Sequence, residues 1–141
     1  MVLRGTVAIV FGSVDGSSHL STTEVLDLVT MVFVEVPRMR SPRWGCAAIA
    51  IDARRVLVVG GSSGSYLNTT ELFDVDTLAF TVGPNIQSAR KSAVVALDAR
   101  RILVVGGHGS GGYLVTTEVL DLVTMTFVSG PNLSCARCSE T

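Results

Sequence analysis

Apolar residues in this chain come in short runs set between glycines, prolines and aspartates, without the three-and-four spacing of a helix. Val56–Val59 and Ile102–Val105 are blocks of Val, Leu and Ile, each preceded by arginines and followed by a glycine pair. β-Branched residues bounded by turn formers predict buried strands, and the Gly-Gly stop predicts a turn needing positive φ. A Gly- and Ser-rich loop follows each run. Strands over Thr69–Thr77 and Thr116–Thr124 come next, then a short strand around Phe80 or Phe127. Gly83-Pro84-Asn85 and Gly130-Pro131-Asn132 mark the closing turns. Ser92–Leu97 reads as a further apolar strand, ended by the hairpin-like Asp98-Ala99-Arg100. The pattern predicts four short strands per unit. Strands buried on both faces explain why the apolar runs are continuous rather than alternating.

The units are copies of one another. Thr22–Val34 and Thr116–Val128 differ only at Val32 against Thr126, and a looser copy, Thr69-Thr70-Glu71-Leu72-Phe73-Asp74, lies midway between them, 47 residues from each. A period in the forties indicates a repeat architecture. The first unit is the weakest: Val7–Phe11 stands for the buried strand, and Phe11-Gly12 replaces the glycine pair. Pro37, Pro42 and Arg43 match Pro84, Ala89 and Arg90, and Cys46–Ile51 is the apolar strand before Asp52-Ala53-Arg54.

Two glycine pairs (Gly60 with Gly61, Gly106 with Gly107) follow second strands, and paired positions with six residues between hold Leu26, Phe73 or Leu120 and Phe33, Phe80 or Phe127. In these features nearly the whole chain resembles kelch repeats, although the family more often has Tyr and Trp at the paired positions. The resemblance implies an all-β fold of propeller blades, each a four-stranded antiparallel sheet beside a central channel. It divides the chain into a partial blade over residues 1–44 holding strands two to four, blades over 45–91 and 92–134, and the start of another unit at 135–141. That is an incomplete propeller of just under three blades, where closed rings use about four to eight. Either the chain is a piece of a longer propeller or copies associate, two copies giving about six blades.

Composition narrows the functional classes. The 141 residues carry a net charge of -1, so no basic field points to nucleic acid. Hydrophobic residues make up 48% and mean hydropathy is +0.50, yet the apolar runs are far shorter than the ~20 residues of a membrane span. The run within Met1–Phe11 is too short for a secretory signal and falls in phase with the repeat strands, so a cytoplasmic location is expected. Cys46, Cys135 and Cys138 are too few for a disulfide framework. Cys135 and Cys138 form half a zinc site or a redox pair, but they occupy the repeat positions of Ser88 and Lys91, and neither Cys46, His19 nor His108 has paired spacing. No metal or other cofactor is expected. Gly106–Gly112 is glycine-rich like a phosphate loop, but it lacks the lysine and the following helix and reads as a structural turn. Asn68-Thr69-Thr70 and Asn132-Leu133-Ser134 match a glycosylation acceptor, which matters only in a secreted chain.

Arg43, Arg90 and Arg137 recur in phase, as do Glu24, Glu71 and Glu118. Repetition in every unit suggests architecture: a charge pair or carbonyl cap stitching each blade, with an anionic ligand on an arginine ring as the alternative. Partner contacts are expected instead from the loops, at Tyr66, His108 and Tyr113, with Arg38, Arg40 and Trp44 from the first inter-blade turn; Trp44 could equally pack beneath that turn. The expected function is a non-catalytic interaction or scaffold module that binds a protein. The alternatives are a propeller enzyme, a sugar or small-molecule binder, and a fragment without independent activity. A copper oxidase would need Tyr, His and Cys ligands converging at the axis.

Overall fold

The computed structural model describes residues 2–4, 7–15 and 18–134. These form thirteen strands and, among the described residues, no helix. In the first sheet, β1 (Val2–Arg4), β2 (Val7–Asp15), β3 (Ser18–Asp27) and β4 (Val32–Val36) pair in sequence order. The second sheet repeats this with β5 (Ala47–Ala50), β6 (Arg55–Val59), β7 (Thr70–Asp74) and β8 (Ala79–Val82). In the third, β9 (Lys91–Ala96), β10 (Arg101–Gly109), β12 (Thr117–Asp121) and β13 (Thr126–Ser129) pair likewise, and β11 (Gly112–Tyr113) folds back on the end of β10. Every pairing is antiparallel.

Three features depart from the pattern read in the sequence. The strands read over Thr69–Thr77 and Thr116–Thr124 end at Asp74 and Asp121, where turns begin. The first sheet has an innermost strand, β1, where only strands two to four were expected. Three residues are too few to show a periodicity. In the third sheet the buried strand does not stop at its glycine pair: pairing lapses between Val105 and His108, then resumes through His108 to Gly109. Glycine hides such an extension because it carries no side chain to register a strand pattern.

The sheets stack face to face, and alternation along each strand decides which neighbour a side chain meets. Ile9 and Phe11 of the first sheet bury against Val56, Val58 and Phe73 of the second. Leu57, Val59 and Leu72 point the other way, onto Ile102, Val104, Leu120 and Phe127 of the third. The middle sheet is thus apolar on both faces, which accounts for the unbroken Val56–Val59 run. Phe73 is sealed between Phe11 and Phe80, with ring centroids 5.7 and 4.8 Å away. Burying one such side chain is worth roughly 1.5–3 kcal/mol. The innermost strands β1, β5 and β9 contact one another in succession, as blades do around an axis. After each sheet the linker takes the same path: the amides of Met39, Ile86 and Leu133 donate to the carbonyls of Ser21, Asn68 and Val115 at 2.8, 2.9 and 2.7 Å.

Candidate binding site at the loop end of the sheets

The loop end is built on two buried arginines. Arg43 is 1% exposed. Its guanidinium donates to the carbonyls of Gly60 (2.8 Å) and Thr69 (2.9 Å), to Thr69 Oγ1 (2.9 Å) and to Glu71 Oε2 (2.9 Å). The Glu71 carboxylate also accepts the backbone N–H groups of Arg40 and Ser41, at 2.6 and 3.2 Å. Arg90 repeats the arrangement one unit later, on Gly106 O (3.0 Å), Thr116 O (2.8 Å), Thr116 Oγ1 (2.8 Å) and Glu118 Oε2 (3.0 Å). Gln87 and Ser88 donate their amides to Glu118. Burial lowers the Arg90 pKa and the Glu118 charge opposes it. Each arginine therefore serves both as half of an ion pair and as a carbonyl cap. It joins the linker that leaves one sheet to the sheet that follows. Glu24, at the equivalent place in the first sheet, is exposed. Arg137 lies outside the described residues.

The glycine pairs admit this crossing. Gly60 and Gly61 have φ of 60° and 96°, and a Cβ on Gly60 would lie 2.3 Å from the Arg90 carbonyl oxygen. Gly106 and Gly107 have φ of 48° and 88°, and a Cβ on Gly107 would run into the Lys91 carbonyl. Both the left-handed backbone and the close approach exclude a side chain.

Because the arginines are fixed, so are the residues after them. Trp44 bonds Ser62 in both directions through the backbone, at 2.8 Å each way, and Ser62 in turn bridges to Tyr66. Lys91 places its ammonium 3.7 Å from the Trp44 ring centroid, a cation–π contact worth about 0.5–1 kcal/mol at a partly exposed site. Lys91 also pairs across the ladder with His108. The Tyr66 hydroxyl and His108 Nδ1 are hydrogen-bonded, and the Tyr113 ring meets His108 edge-on, centroids 5.0 Å apart.

The family model for the kelch motif matches residues 43–87 and 89–134. The chain belongs to the kelch-motif family. The two matched stretches are the second and third kelch sheets with the arginines that lead into them, and each sheet is a blade of the β-propeller type. No curated protein matches the chain.

In this kelch array Tyr66, His108 and Tyr113 come together with Trp44 and Lys91 at the junction of the second and third blades. Trp44 is 41% exposed and Tyr113 60%. Arg38 and Arg40 are exposed, and their side chains take no part in the cluster; Arg40 contributes through its amide. Lys91 escaped the sequence reading. Its signal was nonetheless there, since Lys91 stands 47 residues after Trp44, so the two meet as equivalent positions of adjacent units.

The glycine-rich Gly106–Gly112 stretch is the β10–β11 hairpin, with Gly112 at φ 109°. Among the described residues no group of three or more His, Cys, Asp or Glu is placed to hold a metal ion, and Cys135 and Cys138 lie outside them. Cys46 is a free thiol whose pKa burial raises. No helix among the described residues is long and apolar enough to cross a membrane. At the opposite end of the blades, Asp52, Arg54 and Asp74 surround a hollow that recurs at Asp98, Arg100 and Asp121, which marks it as part of the repeat.

Proposed function

We propose that this kelch protein is a non-catalytic interaction module that docks a protein partner on the loop end of its second and third blades. Kelch repeats commonly mediate protein–protein interaction, and the family is generally non-enzymatic. The observation that carries the reading for this chain is the cluster of Trp44, Lys91, His108, Tyr66 and Tyr113. Aromatic rings held by one another and by a cation present amphipathic area at little entropic cost, the composition that dominates binding energy in protein interfaces. Tyr113, opposite His108 in the β10–β11 hairpin, and Trp44, under the Lys91 ammonium, are the anchors, and Lys91 supplies the charge that favours an acidic contact. Rigid mounting on the Arg43 and Arg90 clamps keeps the surface preorganised.

A photo-crosslinking residue at Tyr113 tests this, with the same residue at exposed Val123, in the turn at the other end of the blade, as control. The expected result is a discrete protein adduct from position 113 only, abolished by combined Trp44→Ala and Tyr66→Ala substitution in a chain that keeps its circular dichroism. Equal adducts from both positions, or an adduct indifferent to the substitutions, would overturn the assignment.

A further inference from the structure

The junctions of the second blade with the first-blade linker and of the third blade with the second-blade linker share one interlock. A linker delivers an arginine and two amides to a buried glutamate: Arg43 with the amides of Arg40 and Ser41 on Glu71, and Arg90 with those of Gln87 and Ser88 on Glu118. The two interlocks differ in what stands beside the carboxylate. Val82 lies opposite Glu71 in the ladder, whereas Ser129 lies opposite Glu118. Arg40 in the one linker is likewise exchanged for Gln87 in the other, 47 residues on. The two exchanged side chains meet: Ser129 Oγ donates to Gln87 Oε1 at 2.9 Å. Together with Asn132 they form the exposed rim of a hollow of about 80 Å³, which Thr116 and the buried Arg90–Glu118 pair also line.

Charge restricts what this hollow can take. The five N–H groups of Arg90 are all committed: Nε to Ser88 O, Nη1 to the Gly106 and Thr116 carbonyls, and Nη2 to Thr116 Oγ1 and Glu118 Oε2. An anion would find no free donor on the guanidinium and would lie against the Glu118 carboxylate. A cation would find a single carboxylate whose charge Arg90 already matches. What the walls still offer is hydrogen bonding without net charge. Thr116 Oγ1 accepts from Arg90, and its own proton has no acceptor among the described residues. Glu118 Oε1 takes the Gln87 amide and keeps a second lone pair. The side-chain amides of Gln87 and Asn132 carry further donors and acceptors.

Size narrows the choice further. One water needs roughly 10–15 Å³ of such space and two to four polar partners, and the hollow provides both. We propose that it is a water site. The water accepts the Thr116 hydroxyl proton, donates to Glu118 Oε1 and reaches the Gln87 or Asn132 side chain with its remaining bond. A bridging water is enthalpically nearly as good as a direct hydrogen bond, so it ties the Arg90 interlock to both linkers that border it. The Arg43 interlock, with Arg40 and Val82 in these places, has no hydroxyl-to-amide rim. The water site shares no residue with the Trp44, Lys91, Tyr66, His108 and Tyr113 cluster, so loss of docking and loss of the water are separate outcomes.

The test is a crystal structure of the unaltered chain at a resolution that shows ordered water, with a second crystal soaked in rubidium bromide. The expected result is a well-occupied water about 2.6–3.2 Å from both Thr116 Oγ1 and Glu118 Oε1, unchanged by the soak and without anomalous scattering at its position. A hollow without density, or one filled by the turned-in side chain of Gln87 or Asn132, would overturn the proposal. So would an anomalous peak there, which would assign the site to a cation or an anion instead.

Discussion

Thr23 shows how much one side chain decides in this repeat. Its counterparts Thr70 and Thr117 donate their hydroxyls to the carbonyls of Pro84 and Pro131, both at 2.7 Å. Thr23 is fully buried, but its Oγ1 has no hydrogen-bond partner among the described residues. The cause lies across the ladder. Gly83 and Gly130 face the other two threonines, and a Cβ on either would lie 2.3 or 2.4 Å from the hydroxyl oxygen. In the first blade that position is Val36, whose side chain joins the core with Ile9 and Phe11. The valine gains apolar burial and shuts the hydroxyl off from the proline carbonyl. Thr23→Val is therefore expected to stabilise the chain by about 1 kcal/mol, since it removes an unsatisfied buried group while keeping the shape. Thr70→Val and Thr117→Val should each cost about 1 kcal/mol, because they delete a bond that is made. Urea denaturation of the three variants checks the opposite signs. The sequence showed the three threonines as equivalents. Their inequivalence depends on a Val-for-Gly exchange thirteen residues away, visible only once strands are paired.

At the scale of the element, the outer hairpins are closed by an aspartate turn written three times. Asp27, Asp74 and Asp121 each accept two backbone N–H bonds on Oδ1 from residues two and three positions on. The turns end at Met31, Leu78 and Met125, all with φ between 55° and 58°. The Thr77 amide, then the Arg54 guanidinium, hold the Asp74 carboxyl below its ordinary pKa; at Asp121 the amides of Val123 and Thr124 do the same. A carboxylate depressed in the folded state contributes stability that is complete above its unfolded pKa, about 3.9, and is lost as pH falls through the folded value. Asp74→Asn and Asp121→Asn should thus lower Tm near neutral pH, and the deficit should shrink as pH drops below about 4. Thermal melts across that window test the sign. The sequence reading carried the strands through these turns, to Thr77 and Thr124, because Val75 and Leu122 continue the apolar run past the aspartates. The hairpin that carries Tyr113 was not readable either, because five of the seven residues in Gly106–Gly112 are glycines, a composition typical of a loop.

At the scale of the whole molecule, cohesion runs from one blade to the next through the Arg–Glu interlocks and the two aromatic and aliphatic cores. Removing one partner of such a buried pair leaves the other charged and uncompensated, at a cost of about 3–5 kcal/mol. Glu71→Gln and Glu118→Gln are each expected to destabilise the chain by that order, measured by denaturant unfolding. The all-β repeat, the glycine pairs and the in-phase Arg and Glu positions were all legible, since duplication writes them two or three times. What each arginine grips was not, because its partners lie 16 to 28 residues away, across a linker and a loop.

That grip also sets where the array can be cut. The arginine that satisfies a blade sits in the linker ahead of it, so the transferable segment does not coincide with the visible sheet. A graft running from Ala47 to Val82 would carry the Glu71 carboxylate into its new host without a guanidinium to meet it. One starting a few residues earlier, at Arg40, brings its own lock and key.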